Sequence, residues 1–310
     1  MKRIKLLGRV LKNAGTGFVE DNGLKLSASL SYYTIFALGP MLIIVISLAG
    51  IFFGKDAVQG RIYYQINGLV GSPAALQIQE IIANIQKSRL GSSGAIVGGI
   101  VLFLGATGIF TEMQDSINYI LSVKAKPQKG WLKLIIDRLT SFSLIVVISF
   151  TLLVSLVVNA LVNLMSDKVE DLIPSISVQL FYTINTLITL VVISMLFTVI
   201  FKVLPDAVIA WKDAIVGAVF TAILFMLGKF LIGYYLGKAR LGITYGAAAS
   251  VIIILSWVYY SSIILYFGAE FTKMFALYCG SGIKPKDTAV FIIKSEAKEV
   301  PAPGMKPKEE

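Results

Sequence analysis

Long uncharged apolar runs, separated by short charged stretches, are the dominant pattern of this sequence. Crossing the hydrocarbon core of a bilayer takes about 20 apolar helical residues. None of the runs alternates with the period of two that a barrel strand requires. The pattern therefore predicts an all-α integral membrane protein with six transmembrane helices, at roughly residues 31–53, 95–120, 139–164, 178–202, 213–236 and 245–276.

The segments around these spans divide the chain into three predicted regions. Residues 1–25 are predicted to form an N-terminal amphipathic helix in the headgroup plane, because apolar residues share one face of it; these are Ile4, Leu7, Leu11 and Phe18. Residues 26–278 form the six-helix membrane domain. Within that domain, residues 55–94 are predicted to be a short helical extracytoplasmic segment, either a cap or a helix lying on the bilayer. Residues 279–310 are predicted to be a cytoplasmic tail, largely disordered because its end is rich in Pro, Glu and Lys.

Composition and charge support a membrane location and give an orientation. Only 15% of the residues are charged and the mean hydropathy is +0.80, whereas soluble proteins carry about 25% charged residues. Lys and Arg concentrate in the N-terminal segment, the 121–138 loop and the tail, which places both termini in the cytoplasm. The 55–94 segment also carries basic residues and is the weak point of this topology. The net charge of +10 is attributed to contacts with anionic headgroups rather than to nucleic acid.

Catalytic and metal-binding signatures are missing from the sequence. It contains no histidine and one cysteine, Cys279, so the commonest general base and metal ligand are absent and no internal disulfide can form. No G-x-S-x-G, Walker A, C-x-x-C or H-E-x-x-H motif occurs. The sequence predicts neither an enzyme nor a resident metal or cofactor.

Polar residues within the spans are the strongest functional candidates. A charge at the centre of a membrane helix costs about 2.5–3.5 kcal/mol and tends to face the bundle interior or water. The candidates for a cavity or substrate pathway are Glu112, Asp115, Asn118, Asn185, Lys202, Lys229 and Glu270. Snorkelling to the membrane surface is the alternative for Asp115, Lys202 and Lys229.

Several blocks of sequence carry a family resemblance, among them "ASLSYYTIFALGPMLIIVISLAG" (28–50), "QDSINYI" (114–120), "YGAAASVIIILSWVYY" (245–260) and "FGAE" (267–270). In order and spacing the chain resembles the YihY/BrkB family over about residues 20–275. The resemblance implies six spans, a bacterial inner-membrane location and a role in handling lipid or envelope molecules, with no established reaction. The motif positions carried over are Tyr32, Tyr33, Pro40, Asp115, Asn118, Pro205, Trp211, Lys229, Tyr245, Gly246, Trp257, Gly268 and Glu270.

These observations lead to a transporter-like hypothesis. An interior cavity open to the cytoplasm would be lined by Glu112, Asp115, Asn118 and Glu270, and Lys229 with the basic rim would attract an anionic lipid or envelope precursor. The alternative is a membrane scaffold whose buried polar residues only hold helices together. A membrane enzyme acting on lipids is a third option that no motif predicts. Some family members were once labelled ribonuclease BN, but a chain without histidine fits that activity poorly.

Overall fold

The computed structural model describes residues 2–36, 75–77, 79, 108–126, 178–238, 245 and 249–294. The helices are α1 (Lys2–Glu20), α2 (23–36), α3 (108–120), α4 (Val178–Val203), α5 (Trp211–Lys238) and α6 (Ala249–Tyr278). The strands are β1 (Val123–Ala125), β2 (Ala207–Val208), β3 (Lys284–Pro285) and β4 (Ala289–Phe291). Residues 75–77 and 79 are also helical.

Three helices within the described residues are long and apolar enough to cross a membrane. Their apolar stretches are Thr186–Val203 in α4, Trp211–Leu236 in α5 and Val251–Tyr278 in α6. They coincide with the last three predicted spans. The first two predicted spans are described only over residues 31–36 and 108–120, and the third, 139–164, lies outside the described residues.

Helix α5 lies between α4 and α6 and forms the centre of the described bundle. A row of aromatic rings crosses all three helices. Phe225 on α5 meets Phe197 on α4 edge-on at 5.9 Å between ring centroids, and Trp257 on α6 at 6.1 Å. Edge-to-face rings at this separation add to the packing of the apolar surface.

The α5–α6 contact depends on glycines that face threonines. A Cβ added at Gly217 on α5 would stand 1.9 Å from Thr272 Oγ1 on α6, and one added at Gly268 would stand 2.0 Å from Thr221 Oγ1. Each threonine hydroxyl donates to a carbonyl of its own helix at 2.7 Å, so no polar group is left unpaired at the contact. Small residues allow helix backbones to approach closely, which is how membrane helices gain packing energy.

Helix α1 packs along α6. Val10 and Ala14 are fully buried against Phe271, and Phe18 meets Phe267 edge-on at 6.0 Å. On the apolar face predicted for α1, Leu7 and Leu11 are exposed (47% and 37%), while the smaller Val10 and Ala14 are buried at the contact with α6. Placement of α1 in the headgroup plane stays a prediction.

The segment after α6, residues 279–294, is named here the strap. Its β3 pairs antiparallel with β2 in the α4–α5 loop, and its β4 pairs antiparallel with β1 after α3. The Lys126 amide donates to the Thr288 carbonyl at 2.8 Å, and the Ile292 amide donates to the Ser122 carbonyl at 2.9 Å. Half of the predicted tail is therefore folded onto the ends of the helices, while 295–310 lie outside the described residues.

Candidate functional site

A cluster of four charged side chains lies where α1, α6 and the strap meet. Glu270 on α6 is fully buried and Asp21, at the end of α1, is 5% exposed. Lys273 Nζ lies 3.3 Å from Glu270 Oε2 and 3.7 Å from Asp21 Oδ2. Lys294 of the strap donates to Asp21 Oδ2. Asp21, Glu270, Lys273 and Lys294 are named here the ion cluster.

Local sequence explains how the two carboxyl groups reach each other. Helix α1 ends at Glu20, and the chain turns at Asn22, whose φ of 54° is tolerated by asparagine better than by most residues. Gly17, one turn before Asp21, leaves the space that the Glu270 carboxylate occupies, since a Cβ at position 17 would lie 2.9 Å from Glu270 Oε2. Lys273 follows Glu270 by three residues and therefore shares its helix face.

Lys294 enters the cluster from the strap over a ring of α3. Its Nζ lies 4.5 Å from the centroid of the Tyr119 ring, a cation–π contact, and 3.5 Å from the Ile120 carbonyl oxygen. Burial lowers the pKa of the Lys294 ammonium, while the hydrogen bond to Asp21 acts in the opposite direction. The strap is thus held by a cation that is partly stripped of water.

The Glu270 and Asp21 carboxyl groups are close neighbours, because Lys273 Nζ lies within ion-pairing distance of both. The arrangement therefore places two carboxyl groups and two ammonium groups together in a largely buried site. Carboxyl groups held near each other out of water can bind and release a proton.

A line of polar groups leads from the cluster along the α3–α6 contact. Tyr266, one turn before Glu270, is fully buried; its hydroxyl lies near Ser116 and Glu112 of α3 but makes no hydrogen bond to the described residues. Ser116 is buried and Glu112 is half-buried. Glu112, Ser116 and Tyr266 are named here the polar track. Ser116 is one turn from Glu112, and Tyr266 is one turn from Glu270, so polar side chains lie at intervals between Glu112 and the ion cluster.

Asn118 belongs to a different contact. Its side-chain amide donates to Asp206 Oδ2 at 2.9 Å, and its side-chain oxygen accepts the Asp206 amide at 2.7 Å. Gln114 reaches the same Asp206 oxygen at 3.4 Å. This reciprocal pair fixes the α4–α5 loop against α3, so Asn118 and Glu270 face different partners.

The remaining candidates are dispersed. Asp115 is exposed. Lys202 donates to the Ile209 carbonyl and lies 5.4 Å from the Trp211 ring centroid. Lys229 is half-buried, 5.5 Å from the Phe230 ring centroid. Asn185 is on α4, but its side chain is outside the described set.

The motif positions are mainly packing or surface positions. Among the motif positions outside the candidate pathway, Pro205 and Gly268 are buried and Trp257 is half-buried, and four are exposed; these are Tyr32, Tyr33, Trp211 and Tyr245. Pro40 and Gly246 lie outside the described residues. Within the part of the chain that the structure describes, no group of His, Cys, Asp and Glu is arranged to hold a metal ion.

Sequence reasoning names Glu270 and Glu112 as candidates but none of their neighbours in the cluster and track. Asp21 falls within the predicted N-terminal helix region, and Lys294 falls within the predicted cytoplasmic tail. The spacing of Lys273 from Glu270 is a usable signal, because residues three apart face the same side of a helix. Asp21 and Lys294 are separated by 273 positions, and no local pattern joins them.

Comparisons with known proteins agree on one family. The family model described as virulence factor BrkB matches residues 14–289. The chain is 27% identical to a UPF0761 membrane protein of Saccharophagus degradans, over 87% of this chain and 60% of that protein. It is 25% identical to a UPF0761 membrane protein of Rhodospirillum centenum, over 85% of this chain and 56% of that protein. It is 26% identical to a protein of Bacillus subtilis named ribonuclease-like YfkH, over 85% of this chain and 94% of that protein.

The chain therefore spans about three fifths of the length of the first curated relatives it matches. No solved structure matches it.

Proposed function

The chain belongs to the virulence factor BrkB family, and we propose that it is a multi-pass inner-membrane, transporter-like protein that moves or handles an anionic lipid or envelope intermediate. The observation that carries the proposal is the fully buried Glu270, set in the ion cluster and continued by the polar track. Ionisable residues inside membrane domains are expensive and mark ion or substrate paths by default. A purely structural contact would not need a line of polar groups leading away from it.

Six spans with both termini in the cytoplasm form part of this proposal. The end of α1, the segment after α3, the α4–α5 loop and the strap all meet at one end of the described bundle. That end is rich in exposed lysines, which favour the cytoplasmic side; they include Lys124, Lys126, Lys212 and Lys284. Labelling of single cysteines in these segments from one side of the membrane tests the orientation.

Transport is tested with the purified full chain in vesicles that contain a fluorescent anionic phospholipid. Movement of the lipid between leaflets is followed by a quencher that cannot cross the membrane. We expect Glu270→Gln and Glu112→Gln to abolish movement while expression and unfolding temperature stay unchanged. Glu20→Gln, at an exposed position at the end of α1, is the matched control and should move lipid as the unaltered chain does.

Accessibility gives a second, substrate-independent test. With Cys279 replaced, single cysteines at positions 112 and 270 should react with a membrane-impermeant thiol reagent from the cytoplasmic side. Position 229 should react from the opposite side. If positions 112 and 270 are inaccessible from both sides, the polar track is dry and transport through it is refuted.

The scaffold alternative is favoured by one specific observation. Lys273 lies within ion-pairing distance of both Glu270 and Asp21, so the cluster ties α1 to α6 without any ligand. Under this alternative, Glu270→Gln lowers stability instead of activity, and removal of 295–310 impairs partner binding. Ribonuclease activity is not proposed, because the sequence contains no histidine.

A further inference from the structure

The strap is attached to the ion cluster through Lys294. Two short strand pairs hold the rest of the strap, with two and three residues in their strands. Strand pairs this short contribute little by themselves. The ion pair between Lys294 and Asp21 is therefore a controlling contact for whether the strap stays docked.

We propose that Asp21 and Glu270 form a proton-binding pair, and that Lys294 is a tethered cation that competes with protons for Asp21, so that proton uptake releases the strap. The inference rests on the proposed function only in placing this site on the transport path. Proton binding and strap release are measured without transport, so each idea can fail without the other.

The charges of the cluster explain the competition. With both carboxyl groups ionised, the two negative charges of Asp21 and Glu270 are balanced by the ammonium groups of Lys294 and Lys273. A proton taken from the solution and added to a carboxylate oxygen of Asp21 removes the charge that Lys294 contacts. Lys294 keeps its own proton and is left as an uncompensated, partly buried ammonium, which is costly. It then returns to water and carries the strap with it, with one proton bound per release.

Three described elements place charged or polar groups around Lys294. Helix α6 contributes Glu270 and Lys273, and α3 contributes the Tyr119 ring and the Ile120 carbonyl oxygen, both of which favour a cation at the Lys294 position. Among the described residues, Asp21 is the acidic group that contacts Lys294 directly. Protonation of Asp21 is thus the event that changes the balance of charge around Lys294.

Release of the strap would expose the cluster to the cytoplasm. Lys294 lies over Asp21, and Asp21 in turn contacts the buried Glu270. With the strap undocked, water can reach Asp21 and pass a proton to Glu270 and the polar track. The strap therefore acts as a gate that opens when Asp21 binds a proton.

Amide hydrogen exchange of the full chain in lipid nanodiscs tests the proposal. The reporters are the amides of Lys126 and Ile292, which are bonded across β1 and β4. Their exchange rates are divided by those of an unstructured peptide at the same pH. Between about pH 7.5 and about pH 3, on either side of the ordinary carboxyl range, we expect protection to fall about tenfold, equivalent to about 1.4 kcal/mol.

Variants assign the effect to the cluster. Asp21→Asn and Lys294→Met should show low protection at both pH values, and Lys294→Arg should restore the docked strap at the higher pH. Lys284→Met changes an exposed lysine of the same strap and should behave as the unaltered chain. Protection of α5 and α6 amides is measured in parallel, so that a variant that unfolds is recognised. Lys294→Met is the decisive variant, because Lys294 lies at the edge of the cluster.

Three results would overturn the proposal. The first is equal protection of Lys126 and Ile292 at both pH values in the unaltered chain. The second is a loss of protection in Lys284→Met as large as that in Lys294→Met. The third is an unchanged acid response in Asp21→Asn. Loss of lipid movement with intact pH-dependent release would instead refute transport alone.

Discussion

Replacing Gly217 by alanine should destabilise the α5–α6 contact, and a matched glycine in the same helix supplies the control. A Cβ at position 217 would stand 1.9 Å from Thr272 Oγ1, 2.8 Å from its Cβ and 3.0 Å from its Cγ2. Non-bonded carbon atoms normally lie about 3.5–4.0 Å apart. A Cβ at Gly233, also in α5, would have no neighbour within 4 Å.

The magnitude follows from the comparison of these two substitutions. Glycine to alanine gains about 1 kcal/mol of helix propensity at either position, so this gain cancels in the difference. Overpacking of a close contact costs about 1–3 kcal/mol. The Thr272 Cβ is bonded directly to the α6 backbone and cannot move without it, so the upper end of this range of overpacking costs applies. Gly217→Ala should therefore be about 2–3 kcal/mol less stable than Gly233→Ala.

The free energy of unfolding of the purified full chain is measured in mixed micelles by titration with a denaturing detergent. The double variant Gly217→Ala/Thr272→Gly moves the small residue to the opposite helix and should recover most of the loss. A simple loss of helix propensity would not be recovered in this way. Equal stability of Gly217→Ala and Gly233→Ala would refute the proposed close approach of α5 and α6.

Two further predictions concern the site. Gly17→Ala places a methyl group 2.9 Å from a buried carboxylate oxygen and should be about 1 kcal/mol less stable than Gly15→Ala, in open space on α1, in the same unfolding assay; the cost is at the low end of overpacking because the carboxylate is the end of a flexible side chain. Asn118→Ala leaves the Asp206 amide without its partner and should cost about 1–3 kcal/mol, with faster exchange of the Asp206 amide.

The last three spans were predictable because each is a long uncharged run whose composition alone satisfies the requirements of a lipid environment. The predicted span 178–202 and the helix Val178–Val203 differ by one residue at one end. The buried position of Glu270 followed in part from the cost of a charge in a membrane helix. These features are local, and local patterns are sufficient to find them.

There is a physical reason why the ion cluster and the strap could not be predicted from the sequence. Lys294 and Asp21 meet only because α1 packs on α6 and the strap crosses α3, and none of these contacts leaves a mark on nearby residues. Strands of two or three residues are too short to show a period of two. The packing of α1 on α6 was not predicted either, because Val10 and Ala14, which make the contact, are small and were not among the residues that defined its predicted apolar face.

The separation of 273 positions between Asp21 and Lys294 has a consequence for biosynthesis. At about 5–20 residues per second, the ribosome needs roughly 14–55 s to make that interval. For most of this time α1 is present without α6, and its buried face has no partner. Glu270 likewise enters the bilayer before Lys294 has been made. The cluster thus cannot be completed until the strap has been made, and a nascent chain that stops short of the strap leaves its carboxyl pair accessible to water and to the proteases that remove incomplete membrane proteins.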